Sequence, residues 1–195
     1  MEEGYIKFQQ HWNRTPLSEV VPWHQLEVIR DQLYVRKLIG AYPDGVGYGN
    51  VSLRFPPHFL ITGSATGGIS KLTKNHFALV TDYKLKENRV TSVGMSPASS
   101  ESLSHAMFYG LDNNINVVIH IHHQGLWKSL LNEVPTTAQS AGYGTPEMAA
   151  EIKRLYEQDE LGDRKIAVTA GHPEGIFTFG KNPREALAVL DRYLL

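Results

Sequence analysis

The chain has 195 residues, a length that fits one domain of ordinary size. Its 19 Lys and Arg residues nearly balance 20 Asp and Glu residues, and the net charge of −1 argues against a broad nucleic-acid-binding surface. The sequence has nine histidines and no cysteine, which excludes disulfides, thiolate ligands and a cysteine nucleophile. Any transition-metal site must therefore be built from histidines and carboxylates.

We expect no targeting signal in the N-terminal region. Residues 1–5 open with two acids and lack the apolar core of a secretory signal. No stretch of the sequence approaches the roughly 18 apolar residues of a membrane span. We therefore expect a cytoplasmic protein without a membrane partner, organised as a single domain over residues 1–195. Three aromatic residues within residues 1–20 predict that this segment packs as an N-terminal extension.

The first half of the chain predicts one helix followed by several strands. Apolar residues recur at helical spacing over residues 20–39, and Gly40 is expected to end this helix. Alternation of apolar and polar residues predicts strands over residues 50–55 and 59–62. The remaining expectations are a turn at 43–45, a loop at 63–68, a helical turn at 72–77 capped by Thr73, and a hairpin of strands 78–83 and 89–93.

Helices and strands alternate in the second half. We expect a helix over residues 101–111, a buried strand over 116–122 and a short helix over 126–131. Thr145 and Pro146 are typical of the first residues of a helix. The last predicted elements are strands at 166–169 and 175–179 and a closing helix at 183–195. This order favours a layered α/β domain with a largely antiparallel sheet.

The strongest local signal for chemistry is the pair His120 and His122 at the end of an apolar strand. Residues i and i+2 of a strand share a face, so both imidazoles can reach one metal ion, while Ile121 points into the opposite layer. His123 falls on the other face unless the strand has ended. The alternative is a pair of solvent-facing or hydrogen-bonded histidines.

Two further residues are candidates for completing such a site. His172 lies in a glycine-rich turn directly after a predicted strand and is either a ligand or a turn histidine. Glu101 falls in the first turn of a predicted helix, where the helix N-terminus stabilises a carboxylate, so it is either functional or a plain helix-dipole glutamate. His105 lies one turn later and is expected to pack inside the protein.

Three segments have residues suited to binding an anion. Asn50 follows a glycine at the start of a predicted strand. Ser99 and Ser100 precede a helix and offer hydroxyl groups together with free backbone N–H groups. The loop at 62–68 can form a backbone nest, but it is not a P-loop because no Gly-Lys-Ser/Thr follows it.

Taken in order, these residues resemble the class II aldolase/adducin family, from about residue 41 to the C-terminus. Members of that family include fuculose-phosphate and rhamnulose-phosphate aldolases and ribulose-phosphate epimerases. The segments that carry the resemblance are residues 49–52, 60–62, 71–73, 99–101 with His105, 120–122, 144–145, and His172. Each segment is short, but their order and spacing together are specific.

The resemblance implies a three-layer α/β/α fold with a central, mainly antiparallel sheet. It implies a metal held by His120, His122 and His172, usually zinc, with Mn²⁺, Fe²⁺ or Ni²⁺ as other divalent choices. The family's catalytic glutamate corresponds to Glu101. The residues that correspond to the family's phosphate site are Asn50, Ser64, Thr66, Gly67, Ser99 and Ser100. Many members are tetramers, so a homo-oligomer, with a tetramer favoured, is expected.

The function implied is that of a metal-dependent aldehyde-lyase. Such an enzyme would act on a small hydroxy-carbonyl compound, with a phosphorylated sugar expected, through a metal-stabilised enediolate, and Glu101 would move the proton. The alternatives are an epimerase or dehydratase of the same family and a non-catalytic, adducin-like interaction domain. The loop at 62–67 is one residue longer than in the family, which leaves Ser64 and Thr66 as alternatives for the phosphate role. Residues 131–143 show no counterpart of the family's catalytic tyrosine.

Overall fold

A large mixed sheet lies at the centre of the computed structural model, which describes residues 4–194. The strands formed within these residues are β1 (Gln9–Asn13), β2 (Gly40–Ala41), β3 (Gly47–Tyr48), β4 (Asn50–Phe55), β5 (His58–Thr62), β6 (Phe77–Lys84), β7 (Arg89–Val93), β8 (Val117–His122), β9 (Ile166–Val168) and β10 (Gly175–Gly180). Eight of them form one sheet in the order β1-β7-β6-β5-β4-β8-β10-β9, and β2 and β3 form a separate small hairpin. Every pair in the large sheet is antiparallel except β1 with β7.

Helices cover both faces of the sheet. They are α1 (Trp23–Val35), α2 (Ser102–Leu111), α3 (Gln124–Leu130), α4 (Pro146–Gln158), α5 (Leu161–Arg164) and α6 (Pro183–Asp191), with short 3-10 turns at Lys74–His76 and Leu85–Glu87. One apolar cluster joins α1, α3 and α6 to the sheet, and a second joins α2, α4 and α5 to its other face. The expected α/β/α layering with a mainly antiparallel sheet is therefore confirmed.

Helix α1 is shorter at both ends than its sequence pattern predicts. It begins at Trp23, directly after Pro22, and it ends at Val35 with Arg36 as the C-cap. Lys37 then adopts a φ of 58°, a left-handed conformation that stops the helix. The prediction that Gly40 ends this helix was wrong, and Gly40 instead begins β2.

The N-terminal residues supply a strand that the sequence does not predict. β1 pairs with β7 in parallel and forms one edge of the large sheet. The indole N–H of Trp12 donates to the backbone carbonyl of Gly94 at 2.8 Å. The segment expected to pack as an extension thus contributes backbone hydrogen bonds to the sheet itself.

The cap predicted for the fourth helix is confirmed. Thr145 is the N-cap of α4, its hydroxyl accepts from the backbone N–H of Met148 at 3.3 Å, and Pro146 occupies the first helical turn. The short helix α5 and the β2–β3 hairpin have no counterpart in the sequence predictions. Among residues 4–194, no helix combines the length and the apolar character needed to cross a membrane.

Three neighbouring strands bring the candidate site residues together at one end of the sheet. β8 lies between β4 and β10. In the registers of these pairs, Asn50 lies opposite His120 and Gly175 lies opposite His122. Residues far apart in the sequence are thereby brought to the end of β8, where the predicted histidine pair lies.

Candidate active site and metal centre

Three histidines form a compact cluster at the end of β8. His120, His122 and His172 each offer a ring nitrogen, and these atoms lie within 4.8 Å of one another. All three side chains are buried, with residue exposures of 1%, 5% and 5%. The ring centroids of His120 and His172 are 5.2 Å apart, and those of His122 and His172 are 4.7 Å apart. The structure thus joins the predicted pair to the histidine of the late turn.

The alternation of β8 places this cluster on one face of the sheet. Ile119 and Ile121 enter the apolar cluster that contains α1, as the sequence predicts for Ile121. His120 stacks on Phe177, which belongs to the cluster on the α2 side, with ring centroids 4.4 Å apart. The strand ends at His122, and the Nδ1 atom of His123 accepts from the backbone N–H of Leu126 as the N-cap of α3.

Burial keeps the imidazoles of β8 neutral. Burial is the main cause that lowers the pKa of His120 well below its ordinary value, and the neighbouring histidines lower it further. The pKa of His122 is also lowered well below its ordinary value, first by burial and then by His172. A neutral imidazole has a lone pair available to a metal, whereas an imidazolium has none.

The cluster has the properties expected of a metal centre. The Nε2 atom of His120 is buried and accepts no hydrogen bond from residues 4–194. It lies where Gly175 has no side chain, since a Cβ atom there would approach it to 3.0 Å. Three imidazole nitrogen donors suit zinc and other divalent transition metals, and a site with three protein ligands would leave a position for a further ligand. The residues present therefore fit a divalent ion.

Glu101 lies directly beside the cluster. It is the N-cap residue of α2 and is 2% exposed. Its Oε1 atom is 3.4 Å from Nδ1 of His172, and its Oε2 atom accepts from the hydroxyl of Ser104 at 2.6 Å. Burial favours a higher pKa for Glu101, but the contacts with His172 and Ser104 outweigh it and lower the pKa. The carboxyl group is therefore ionised at neutral pH.

Hydrogen bonds link His122 to Tyr42 and Glu174, two residues that the sequence does not assign to the site. The hydroxyl of Tyr42 lies 2.9 Å from Nδ1 of His122 and donates to Oε2 of Glu174 at 2.9 Å. Because that hydroxyl proton is given to Glu174, its oxygen can accept from Nδ1–H of His122. This tautomer leaves Nε2 of His122 as the nitrogen with the lone pair.

The segments suited to anion binding line the same cavity as the histidine cluster. Thr66 is buried and donates its hydroxyl proton to the carbonyl of Gly63 at 2.7 Å. The half-buried Ser64 has a hydroxyl without a hydrogen-bond partner among the described residues. Ser99 accepts from the backbone N–H of Glu101 at 3.3 Å. Asn50 is also tied to the cluster, since its Nδ2 atom lies 3.3 Å from Nδ1 of His120.

All the predicted site residues line one cavity of about 220 Å³. The residues in question are Asn50, Ser64, Thr66, Gly67, Ser99, Ser100, Glu101, His120, His122 and His172. Three tyrosines that the sequence does not assign to the site also line it, namely Tyr5, Tyr48 and Tyr143. The Tyr143 ring lies 4.9 Å from that of His172 and carries Lys7 over its face. The cavity thus combines nitrogen donors, a carboxylate, hydroxyl groups and backbone amides.

His105 packs inside the protein, as predicted. It is fully buried, and its Nδ1 atom lies 2.6 Å from the hydroxyl of Ser52. That hydroxyl is also 2.7 Å from the hydroxyl of Tyr109. Burial lowers the pKa of His105 from 6.5 to about 3, so the ring stays neutral.

Comparison with known proteins connects this site to a family. The family model described as the class II aldolase and adducin N-terminal domain matches residues 35–193. This segment includes every predicted site residue and every element from β2 to α6. A search of curated proteins gave no significant match.

Solved structures share the fold at low sequence identity. L-Fuculose-1-phosphate aldolase from Thermus thermophilus is 22% identical, with a TM-score of 0.60 over 88% of this chain and 89% of that one. A sugar-phosphate aldolase from Thermotoga maritima is 15% identical, with a TM-score of 0.60 over 86% and 88%. The N-terminal class II aldolase domain of a conserved Thermoplasma acidophilum protein is 14% identical, with a TM-score of 0.57 over 95% and 94%.

Proposed function

Because the chain belongs to the class II aldolase and adducin family, we propose that it is a metal-dependent aldehyde-lyase. Its substrate is a small hydroxy-carbonyl compound, with a phosphorylated sugar favoured. The observation that carries this proposal is the cavity in which three buried imidazoles lie beside a buried carboxylate. The solved relatives whose names include a sugar phosphate share this fold and support the choice of substrate class.

The proposed metal ligands are His120, His122 and His172. A divalent ion bound there supplies Lewis acidity that polarises a carbonyl and stabilises developing negative charge on oxygen. Zinc is our first choice, and manganese, iron and nickel are the other candidates. The three histidines and Glu101 are buried, which strengthens the electrostatic interactions among them.

Glu101 is proposed to move the proton. Its Oε2 atom is held by Ser104, so Oε1 is the atom that faces the cluster and is available to accept a proton. An ionised carboxylate in a fixed position can act as a general base and then return the proton as a general acid. The lowered pKa of Glu101 keeps it in the basic form at neutral pH before substrate binds.

The proposed binding site for a phosphate or other anionic group consists of Asn50, Ser64, Gly67, Ser99 and Ser100. Ser64 is assigned the hydroxyl donor of the loop in preference to Thr66, because the Thr66 hydroxyl already donates to Gly63. Thr66 remains part of the cavity wall. Contacts of this kind orient the substrate and leave the chemistry to the other residues.

The alternatives to an aldehyde-lyase are another reaction of the same family and a non-catalytic interaction domain. An epimerase or dehydratase would use the same metal and the same proton-moving carboxylate, because all three reactions develop negative charge beside a carbonyl and need a group that moves a proton. A non-catalytic, adducin-like interaction domain is disfavoured by the intact histidine cluster. A homotetramer and a cytoplasmic location are part of the same proposal.

The test has two parts. Elemental analysis of the purified protein should find about one transition metal per chain, and His120→Ala should lose it; full occupancy in this variant would contradict the ligand assignment. A panel of sugar phosphates should then be incubated with the metal-loaded enzyme and the products identified by NMR. Aldol cleavage gives two smaller carbonyl compounds, epimerisation preserves the molecular formula, and dehydration removes one water. Lack of metal even after incubation with zinc or manganese would favour the interaction domain.

A further inference from the structure

Arg30 on α1 is a buried cation surrounded by backbone carbonyls. It is 1% exposed. Its Nη2 atom donates to the carbonyls of Thr66 at 3.4 Å and Gly67 at 2.9 Å, and also to that of Ile69. Its Nη1 atom donates to the carbonyl of Ser70 at 3.3 Å. One guanidinium group therefore gathers four carbonyl oxygens from a single segment, residues 66–70, which we call the clamped segment.

The clamped segment continues the loop that forms one wall of the cavity. Ser64, Ala65, Thr66 and Gly67 line the cavity, whereas Arg30 does not. Gly67 lies tightly against the β2–β3 hairpin, since a Cβ atom there would come within 2.3 Å of the carbonyl oxygen of Gly40. Arg30 also lies against the ring of Tyr34, with its Cζ atom 4.2 Å from the ring centroid. The loop is thus held from behind by a residue that does not itself reach the cavity.

Peptide geometry links the carbonyls that Arg30 holds to the N–H groups of the same loop. In a planar trans peptide, the carbonyl of one residue and the N–H of the next point in opposite directions. When the Thr66 carbonyl is bonded to Arg30, the Gly67 N–H is turned away from Arg30. Within residues 4–194, the backbone N–H groups of Ala65, Thr66 and Gly67 donate to no other backbone carbonyl. Backbone amides of this kind, in a loop that lines the cavity, are suited to an anion.

We propose that Arg30 is a positioning residue for anion binding: by holding the Thr66 carbonyl it presents the amide of Gly67 to the anionic group of the substrate, and by fixing residues 66–70 it anchors the end of the loop that carries the amides of Ala65 and Thr66. This rests on the proposed function, which places a phosphate or similar group at this loop. Arg30 lies outside the segment matched by the family model, so its role follows from the contacts of this chain. A lysine cannot replace it, because an ammonium group is a point donor without the planar fork.

The test compares Arg30→Lys and Arg30→Met with Arg54→Met. Arg54 makes a similar clamp elsewhere: it donates to the carbonyls of Ile115, Tyr109 and Asp112, at 2.6, 2.9 and 2.8 Å. These carbonyls do not line the cavity. Arg54→Met therefore loses a comparable set of hydrogen bonds without touching the anion loop.

Binding of inorganic phosphate to the metal-loaded proteins is measured by calorimetry. Both Arg30 variants should bind phosphate on the order of tenfold more weakly than the wild type, whereas Arg54→Met should stay within about twofold, with the same metal content in all four proteins. Hydrogen exchange at residues 65–68 should be faster in Arg30→Lys, which is the variant expected to fold if Arg30→Met does not. With a sugar phosphate that is turned over, Arg30→Lys should raise KM more than it lowers kcat.

Three outcomes would overturn the role of Arg30. Phosphate affinities that fall equally in Arg30→Met and Arg54→Met would show a general loss of stability. A phosphate affinity in Arg30→Lys equal to that of the wild type would show that the positive charge of Arg30, and not its planar fork of donors, supports phosphate binding. Wild-type protein that binds no phosphate would overturn the role of Arg30 and the phosphorylated substrate together. Wild-type protein that binds phosphate but turns over no sugar phosphate would contradict the proposed function alone, since the effect of Arg30 on phosphate is measured independently.

Discussion

The hydroxyl of Tyr42 lies 2.9 Å from Nδ1 of His122 and connects this histidine to Glu174, whose Oε2 atom accepts from the same hydroxyl at 2.9 Å. The two residues are 80 positions apart in the sequence. A hydrogen-bonded partner on the second ring nitrogen fixes the tautomer and the orientation of a histidine that binds metal. In the proposed metal site, Tyr42 therefore positions His122 without being a ligand itself.

Tyr42→Phe should weaken metal binding by about 10- to 100-fold, the usual cost of removing such a partner. Competition with a chelator of known affinity measures the effect. Tyr48→Phe is the matched control, because the Tyr48 ring also lies beside His122, at 5.6 Å between centroids, but its hydroxyl donates to the carbonyl of Lys37. Equal metal affinities in the two variants would show that the Tyr42 hydroxyl does not position His122.

The contrast between His120 and Tyr42 shows what the sequence can predict at this site. Side chains of a strand alternate between its two faces, so His120 and His122 lie on one face. A few consecutive residues are therefore enough to predict this pair. Tyr42 and Glu174 reach His122 from two distant turns, and no local pattern records that contact. The contacts of Arg30 with the clamped segment, up to 40 positions away, are hidden for the same reason.

The strands and helices of the fold also differ in how well the sequence predicts them. The alternation of β4 and the apolar run of β8 are clear in the sequence, and the bounds of both strands follow from it to within one residue. β1 has the sequence Gln-Gln-His-Trp-Asn and lies mostly exposed at the sheet edge, so it has no apolar face to detect. Its strand state comes from pairing with β7, about 80 residues later. Helix α5 has only four residues and is flanked by left-handed Glu160 and Lys165, so it has no helical period to detect.

Glu101→Gln should keep the metal and lose turnover. The glutamine retains an oxygen that can accept from Ser104, so the local structure is expected to survive. It cannot accept a proton, and loss of a positioned acid–base group costs about 10²- to 10⁴-fold in rate. Elemental analysis and kcat on an active sugar phosphate are the two measurements. Glu151→Gln, on α4 and paired with Arg154, is the control. More than a tenth of wild-type kcat in Glu101→Gln would exclude Glu101 as the proton-moving residue.

Ser64→Ala should weaken phosphate binding by about tenfold, because a hydrogen bond to a charged group contributes about 1.5 kcal/mol or more. It should leave the thermal stability nearly unchanged, since the Ser64 hydroxyl has no partner among the described residues. Thr66→Val should instead lower the thermal stability, because it removes the hydrogen bond from the Thr66 hydroxyl to the carbonyl of Gly63 inside the loop. Calorimetry with inorganic phosphate and thermal unfolding separate the two effects. If Thr66→Val lowers phosphate affinity more than Ser64→Ala does, the assignment of Ser64 as the hydroxyl donor is wrong.

His105 should make the protein less stable as the pH falls. Burial lowers the pKa of His105 to about 3 in the folded state, whereas in the unfolded chain it is about 6.5. The unfolded state therefore binds a proton below pH 6.5 that the folded state does not bind until about pH 3. The stabilisation is complete above pH 6.5 and declines below it, by about 2 kcal/mol between pH 7 and pH 5.

His105→Asn removes this titration and can keep the hydrogen bond to Ser52, because the amide of asparagine occupies the place of Nδ1. Urea unfolding at pH 7 and pH 5 gives the free energy of unfolding of each protein at each pH. We expect the loss between these two pH values to be about 2 kcal/mol smaller in His105→Asn than in the wild type, whatever the stability of the variant at pH 7. Burial lowers the pKa of His120 and of His122 in both proteins, so these contributions largely cancel in this comparison. His11→Asn, on the exposed edge strand β1, should follow the wild type. If His105→Asn loses as much stability as the wild type between pH 7 and pH 5, His105 is not held neutral by burial.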